Sequence, residues 1–204
     1  MTTPTTPAPE RGRPRGFDAD VALDRAIEVF WQHGYDGTSL SDLTAAMGIN
    51  RPSLYAAFGN KDELFRRAVA RYAEIDMAYA REALEQPTAY QVIERFLRSN
   101  AEALTRPDRP AGCLSIQGGL AGSSGNEQIS RFLAQSRRGG EEALAARLAR
   151  ALEAGDLPVG TDPVALARYV MTVSEGNAVH AAAGVPRDQL NATIDFALRA
   201  VPGG

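Results

Sequence analysis

The sequence predicts an all-α protein, with a small N-terminal three-helix unit followed by a larger helical domain. Apolar residues recur at helical spacing, capping residues and Gly or Pro breaks delimit the segments, and no segment shows the alternation of a strand. With 204 residues, 44% of them hydrophobic, the chain can form one large core or two small ones. We predict an arm at residues 1–16, the three-helix unit at 17–62 and the helical domain at 63–204.

The arm is rich in Thr, Pro and Ala and then becomes basic. Residues 1–9 contain no apolar run, so we expect them to be disordered. Arg11, Arg13 and Arg15 follow immediately before the first predicted helix. Closely spaced guanidinium groups in this position are typical of arms that enter the minor groove of DNA. A solubilising tail is the alternative.

The first two helices are defined by their caps. Asp18 is an expected N-cap, and Gly34 is an expected left-handed C-terminal cap of the first helix. The inner face of this helix carries Leu23, Ala26, Ile27 and Phe30. Ser39, with Asp42 three residues later, predicts a capping box for a second helix, which should end at Gly48. Ile49 is expected to be buried in the turn.

The third helix is short and opens with polar residues. Asn50 is a good N-cap, and Pro52 fits the first turn, where backbone N–H groups have no intrahelical partner. Leu54 and Phe58 should face inward. The residues expected at the outward N-terminal rim are Arg51, Ser53 and Tyr55. A guanidinium, a hydroxyl and a phenol in such positions suit contacts to bases and phosphates, as in a helix-turn-helix.

These features resemble the TetR family of transcriptional regulators. The matching motifs are Gly48-Ile49, Pro52-Ser53-Leu54-Tyr55, Phe58 and Asn60-Lys61-Asp62-Glu63-Leu64. The resemblance covers residues 17–72 well, and beyond them it extends only to length and helical pattern. It implies a ligand-responsive, sequence-specific DNA-binding regulator, a repressor in our interpretation. Such a regulator binds a pseudopalindromic operator as a homodimer and is released by a small-molecule inducer.

The resemblance also assigns roles to individual residues. Ser39 and Ser41 would lie near a phosphate or a base edge. Arg51, Pro52 and Ser53 would face bases. Tyr55 and Lys61 would each bind a phosphate. The complete predicted DNA-binding set is Arg13, Arg15, Ser39, Ser41, Asn50, Arg51, Pro52, Ser53, Tyr55 and Lys61. Ala56 and Ala57 depart from the family, many members of which carry aromatic or histidine side chains there, so the recognition surface should be smaller.

The remaining segments are all predicted to be helical. We expect one continuous connector helix from Lys61 to Leu84, ended by Pro87. The further predicted helices span residues 89–105, 113–121, 126–153, 162–183 and 188–200, with loops between them. Asp162-Pro163 is a strong helix start because proline favours the first helical position.

The last two long helices are the predicted dimer surface, in line with the four-helix dimer bundle of the resembled family. The predicted contact residues are Leu166, Tyr169, Val173, Ile194, Leu198 and Val201. Intramolecular packing is the alternative for some of them. The family also implies an inducer pocket, for which candidate residues are Tyr90, Phe96, Cys113, Ile116, Phe132, Met171, Glu175 and His180. Core filling is the alternative for the apolar members of this set.

Cys113 is the only cysteine, which excludes an intrachain disulfide. It lies at a predicted helix start, where the helix dipole favours a thiolate, so a redox- or electrophile-sensing repressor is an alternative interpretation. A buried small hydrophobic residue is the structural alternative.

Composition and charge restrict the other classes. The net charge is −3, but residues 1–72 hold nine Lys or Arg and nine Asp or Glu, so DNA affinity must come from the placement of charges. His33, His180 and Cys113 offer no zinc cluster or catalytic dyad, so we expect no metal, no cofactor and no enzyme activity. No apolar stretch suits a membrane span, and a cytoplasmic location is expected. A helical binding module without DNA function remains the third interpretation.

Overall fold

The computed structural model describes residues 16–120 and 126–202, and these ranges contain ten α-helices and no strand. The all-α prediction is therefore confirmed. The helices are α1 (Ala19–His33), α2 (Leu40–Met47), α3 (Arg51–Phe58), α4 (Lys61–Ile75), α5 (Ala78–Leu84), α6 (Ala89–Leu104), α7 (Leu114–Leu120), α8 (Glu127–Glu153), α9 (Pro163–Ala182) and α10 (Arg187–Arg199). Within the described ranges, no helix combines the length and apolar character needed to cross a membrane.

The predicted N-caps of α1 and α2 are confirmed. The Asp18 carboxylate accepts the N–H groups of residues 20 and 21, and Ser39 and Asp42 form a reciprocal capping box at α2. Gly48 adopts the left-handed conformation. Gly34 differs from its prediction, because its φ of 68° is combined with a ψ of 177°, outside the left-handed helical region. Ile49 packs against the core but is only half-buried.

An aromatic core joins α1 to α4. The ring of Phe30 meets that of Phe65 edge-on at 4.9 Å, and Tyr35 meets Phe65 at 5.2 Å. Nearer the end of α4, Trp31 meets Tyr72 edge-on at 4.8 Å. These contacts place the whole length of α4 against the N-terminal unit, although the predicted domain boundary lies at residue 62. That boundary remains a prediction.

The connector is not one continuous helix, which corrects the prediction. α4 ends at Ile75 and α5 begins at Ala78, with Asp76 and Met77 between them. The Asp76 side chain is only 6% exposed and lies 3.2 Å from Nε of Arg109, which comes from the loop before α7. A tertiary ion pair therefore lies at the break after α4, and this pair could not be predicted from helical periodicity.

The C-terminal domain packs α6, α8, α9 and α10 around one apolar core. Its helix bounds agree with prediction to within one or two residues, and Asp162 caps α9 ahead of Pro163. Polar side chains fix its loops. The Arg147 guanidinium of α8 donates to the carbonyl groups of residues 84, 86 and 87, and the N–H of Ala89 donates to Asp156. These bonds hold the loop between α5 and α6 against α8.

Candidate nucleic-acid interface and internal cavity

α3 is anchored on one face and open on the other. Leu54 and Phe58 are buried in the core of the N-terminal unit. Arg51 and Pro52 are exposed, and Tyr55 is 50% exposed, which is unusual for a large ring in a folded domain. The unit is therefore built to present the N-terminal half of α3 to a partner while its other face supports the fold.

The Arg51 guanidinium is held in place by α2. Its Nη2 donates to Oγ of Ser41 at 3.0 Å. The Ser41 hydroxyl therefore orients Arg51, and its predicted place near a phosphate or a base edge of DNA remains a prediction. A guanidinium whose direction is fixed loses less conformational freedom when it binds a base edge bidentately.

Two other residues of the predicted set act first as caps. The Ser39 hydroxyl accepts the N–H of Asp42, and the Asn50 side chain accepts the N–H of Ser53. Both side chains are thereby partly engaged in fixing α2 and α3. Neither assignment to DNA contact is tested by this geometry, and Ser53 itself is half-buried.

Lys61 lies at the first position of α4, where its ammonium group sits 4.2 Å from the centre of the Tyr35 ring. Burial lowers the pKa of Lys61, and the nearby carboxylates of Asp36 and Asp62 partly oppose that shift. Tyr35 in turn donates its O–H to Asp62, which also accepts a bond from Gln128 of α8. The predicted phosphate-binding lysine therefore belongs to a polar cluster that joins the two domains.

A surface groove of about 320 Å³ runs beside α3 and includes Gly16, Phe17, Asn50 and Ser53. Arg13 and Arg15, predicted to bind DNA, lie outside the described residues. Gly16 lines this groove, so the chain passes directly beside α3 at this point.

A cavity of about 70 Å³, partly open to solvent, lies in the C-terminal domain beside the break between α4 and α5. It is lined by Met77, Phe96, Asn100, Cys113, Ser115, Ile116, Ser136, Arg137, Gly140, Met171, Ser174, Glu175 and Ala178. Five of the predicted ligand residues are in this set: Phe96, Cys113, Ile116, Met171 and Glu175. Asn100 and Arg137 also line the cavity and were not predicted, because polar residues on amphipathic helices look like ordinary surface positions.

Three predicted ligand residues lie elsewhere. Tyr90 borders a shallow surface depression with Arg98 and Asp195. Phe132 packs beneath the guanidinium of Arg66, 4.6 Å from the ring centre. His180 is exposed near the end of α9. These three residues lie away from the cavity, since helical spacing alone does not determine which face of a helix meets it, and their assignment to ligand binding remains a prediction.

Cys113 is buried at the cavity wall, and its sulfur accepts a hydrogen bond from the Tyr72 hydroxyl at 3.3 Å. It precedes α7, which is only seven residues long, and this leaves little basis for the predicted dipole effect. The same Tyr72 ring meets Trp31 of α1. One side chain therefore touches both the cavity-lining thiol and the N-terminal unit.

The predicted dimer residues separate into two groups. Leu166, Ile194, Leu198 and Val201 are all buried within the protomer. Their burial indicates packing within the protomer, and their assignment to a contact with a second copy remains a prediction, because an apolar stripe has the same pattern whether it packs within or between chains. Tyr169 is 37% exposed and Val173 is half-buried. The exposed apolar side chains of these helices are Val164, Tyr169, Val179 and Phe196.

Within the described ranges, no group of three His, Cys, Asp or Glu side chains is arranged to hold a metal ion.

Ion pairs connect the two domains. Arg109 lies 3.4 Å from Glu28 of α1 as well as beside Asp76. Burial raises the pKa of Asp76, whereas Arg106 and Arg109 oppose that shift.

The profile described as "Bacterial regulatory proteins, tetR family" matches residues 22–68. The HTH-type transcriptional repressor ComR of Escherichia coli is 34% identical over 194 residues, covering 94% of this chain and 92% of ComR. The uncharacterised HTH-type transcriptional regulator YezE of Bacillus subtilis is 37% identical over 161 residues, covering 78% of this chain and 83% of YezE.

A solved structure gives the same fold over nearly the whole chain. It is a cysteine mutant of the TetR family regulator CifR, complexed with 26-base-pair double-strand operator DNA. The TM-score is 0.90 at 41% sequence identity, covering 93% of this chain and all of the CifR chain. Full-length similarity at this level, together with the capped helix-turn-helix, establishes that this chain belongs to the TetR family of transcriptional regulators.

Proposed function

We propose that this protein is a transcriptional repressor that binds operator DNA through α3 and releases it when a small molecule occupies the C-terminal cavity. The observation that carries the DNA-binding part is the Arg51 guanidinium, exposed at the head of α3 and fixed by Ser41. ComR is a repressor, and the CifR structure contains operator DNA; both are full-length relatives of this chain.

The protein contributes three kinds of contact in this proposal. Arg51, with Pro52 and Ser53, faces base edges in the major groove, where a forked donor suits guanine. Tyr55 and Lys61 bind phosphates, and the arm containing Arg13 and Arg15 enters the adjacent minor groove. The position of Gly16 beside α3 supports this placement, since the arm begins within reach of the same DNA segment.

The repressor acts as a homodimer, because one short helix contacts too few base pairs and two-fold symmetry supplies a second. We assign the interface to the exposed faces of α9 and α10. Phe196 is 69% exposed there, and Val179 is 46% exposed. A Cβ atom at Gly176 would have no neighbour within 4 Å, so a second helix can approach α9 closely at this point.

Release requires that the ligand bind one conformer better than the other. The present cavity of about 70 Å³ is smaller than the ~300–1,000 Å³ of typical ligand pockets, so the ligand-bound conformer must be more open. Cys113 and Tyr72 connect the cavity to Trp31 of α1, and they provide a route for such a change to reach α3. A coupling of about 1–3 kcal/mol would weaken operator affinity roughly 5- to 150-fold.

A mobility-shift titration with genomic fragments tests this function. We expect a discrete complex whose affinity falls as salt concentration rises. Lys61→Ala should weaken binding to all sequences alike and reduce the salt slope by about one unit. Absence of a discrete complex would favour a helical binding module without DNA function.

The position of Cys113 at the wall of the cavity, which gives a small electrophile a path to the sulfur, supports a second candidate, a repressor released by modification of this thiol. Iodoacetamide is a suitable probe, because it forms an S–C bond with loss of iodide and the thiol proton. The adduct would remove the hydrogen bond from Tyr72. If this candidate is right, iodoacetamide releases the operator from the wild type and not from Cys113→Ser. Equal release from both proteins would exclude the thiol.

A further inference from the structure

The hydrogen bonds of Asp62 connect the start of α4 to both domains. One carboxylate oxygen accepts the O–H of Tyr35, from the loop between α1 and α2. The other oxygen accepts a bond from Nε2 of Gln128, in the first turn of α8. Asp62 is therefore held from two sides, by the N-terminal unit and by the C-terminal domain.

A second contact lies one turn further along both helices. Phe132 of α8 packs beneath the guanidinium of Arg66 of α4, with 4.6 Å between the guanidinium carbon and the ring centre. Residues four apart lie on the same face of a helix, so the two contacts join one face of α4 to one face of α8. Two contacts at matched spacing restrict the position of the start of α4 more closely than either contact alone.

The part of α8 that makes these contacts is itself anchored. Ile129 and Leu133 of the same two turns are buried in the core. The Asn126 side chain, just before the helix, donates to the Asp36 carboxylate in the loop between α1 and α2. Gln128 therefore extends toward α4 from a helix end that is fixed on both sides.

Lys61 rests on the tyrosine that Asp62 holds. Its ammonium group lies 4.2 Å from the centre of the Tyr35 ring, and the same ring meets Phe65 edge-on at 5.2 Å. Burial raises the pKa of Tyr35, and the hydrogen bond to Asp62 raises it further, so the hydroxyl remains a donor. Asp62 therefore fixes the orientation of the ring beneath the ammonium group.

The amide of Gln128 also affects the charge around Lys61. The carboxylates of Asp36 and Asp62 both attract the Lys61 ammonium group, as their effect on its pKa shows. A carboxylate oxygen without a donor would compete with a DNA phosphate for this ammonium group. Because Gln128 occupies one oxygen of Asp62, that competition is reduced.

We propose that Gln128 is a positioning residue for DNA binding, which acts through Asp62 and Tyr35 to hold Lys61 where its ammonium group meets a DNA phosphate. This role rests on the proposed function, in which Lys61 binds a phosphate. The C-terminal domain then supports a DNA contact directly at the start of α4, and Phe132 fixes the spacing through Arg66.

Affinity is measured by fluorescence anisotropy on a duplex selected from random DNA and on an unrelated duplex. Gln128 is exposed and contributes one hydrogen bond, so Gln128→Ala should weaken binding by roughly two- to tenfold. Both duplexes should be affected alike, since phosphate contacts carry no sequence information. Gln135→Ala, the same change at an exposed position two turns further along α8, is the control and should bind like the wild type. Equal affinities of these two variants would overturn the assignment.

A double-mutant cycle with Lys61→Ala separates positioning of the lysine from a general effect on the fold. In the Lys61→Ala background, Gln128→Ala should produce almost no further loss of affinity, and losses that multiply would exclude action through Lys61. If Lys61→Ala itself binds as tightly as the wild type, the phosphate contact of the proposed function fails. If only Gln128→Ala is without effect, that contact stands and the positioning role fails.

Reversing the polarity of the hydrogen bond tests the link between the two side chains. Gln128→Glu places a carboxylate opposite Asp62, and we expect it to weaken DNA binding more than Gln128→Ala does. Combining Gln128→Glu with Asp62→Asn restores one donor and one acceptor without changing the net charge, so affinity should return toward the wild-type value. A double variant that binds no better than Gln128→Glu would contradict a direct bond.

Proton NMR of the full-length protein without DNA observes the position of Lys61 itself. Protons of its side chain near the face of the Tyr35 ring should be shifted upfield by the ring current. This shift should decrease in Gln128→Ala and persist in Gln135→Ala, while urea denaturation shows both variants to be as stable as the wild type. An unchanged shift in Gln128→Ala would overturn the positioning role, and this measurement decides even if the Asp62→Asn variant fails to fold.

Discussion

The DNA-binding unit and the C-terminal domain position their functional residues in different ways. In the N-terminal unit, caps at Ser39 and Asn50 lie within three residues of the groups they bind. In the C-terminal domain, the cavity brings together residues from α6, α8 and α9 that are far apart in the chain. The recognition surface is therefore specified locally, whereas the cavity depends on how long helices pack.

This difference predicts how each region should respond to substitution. Changes on the exposed face of α3 should affect DNA binding with little effect on folding. Changes in the apolar stripe of α9, α10 and the residue that follows them should reduce the stability of the fold before they affect dimerisation. The side chains of this stripe are buried inside the protomer, namely Leu166, Ile194, Leu198 and Val201.

The largest effect is expected for Ile194→Asp. Ile194 is completely buried within the protomer, so the substitution combines a lost apolar contact with an unpaired buried charge. We expect a loss of about 3–5 kcal/mol in the free energy of unfolding, measured by urea denaturation. The matched variant is Phe196→Asp, at the exposed position of the same helix.

Phe196→Asp should leave the protomer folded, with a stability change within about 0.5 kcal/mol, and should produce monomers in sedimentation. A folded, monomeric Ile194→Asp protein would contradict the placement of Ile194 in the protomer core. A dimeric Phe196→Asp protein would place the two-fold surface elsewhere.

Arg51→Ala should weaken binding to the operator by about 1–3 kcal/mol and relax the preference at one base pair. The reason is the loss of the only forked donor on α3. Arg131→Ala, which removes an exposed arginine from α8, is the control and should change binding little. Quantitative anisotropy on the operator and its single-base variants measures both. Retention of the full sequence preference would exclude Arg51 as a base-contacting residue.

These two predictions show what could be derived from the sequence. The helix caps and the outward position of Arg51 were predictable because their determinants are a few residues apart. The break between α4 and α5 was not predictable, because the partner of Asp76 in its ion pair is Arg109, which is distant in sequence. Nor does the sequence show whether the apolar stripe that contains Ile194 packs inside one chain or against a second copy, since apolar periodicity does not identify the packing partner. The cavity was only partly predicted for the same reason.

Ser41→Ala should have a smaller effect than loss of Arg51, about 0.5–1.5 kcal/mol in operator affinity, because it frees the guanidinium without removing it. A double-mutant cycle makes the test specific. In the Arg51→Ala background, Ser41→Ala should have almost no further effect. If the losses simply add, Ser41 contacts DNA independently, as the sequence had suggested.

The smallest effects are expected from two carboxylates near the domain junction. The hydrogen bonds from Arg71 lower the pKa of Asp24, and burial raises the pKa of Asp76. Ionised Asp24 therefore stabilises the fold above the ordinary pKa of aspartate, and this stabilisation is lost as pH falls through the lowered value. For Asp76, whose pKa is raised in the fold, the protonated form stabilises the fold. This stabilisation is lost as pH rises from the ordinary pKa of aspartate through the raised value. Carbon-detected NMR titration should show the pKa of Asp24 below, and the pKa of Asp76 above, the ordinary value of aspartate. Shifts of both pKa values in the same direction would contradict this assignment.

The most direct test of the central claim is selection of bound sequences from random double-stranded DNA. If two copies of α3 bind successive major grooves, the selected DNA should contain a pseudopalindrome with half-sites about 10–10.5 base pairs apart, or a multiple of that spacing. With Arg51→Ala, one position in each half-site should lose its preference. Failure to enrich any motif, or enrichment of an asymmetric motif unaffected by Arg51→Ala, would contradict the proposed recognition of operator DNA.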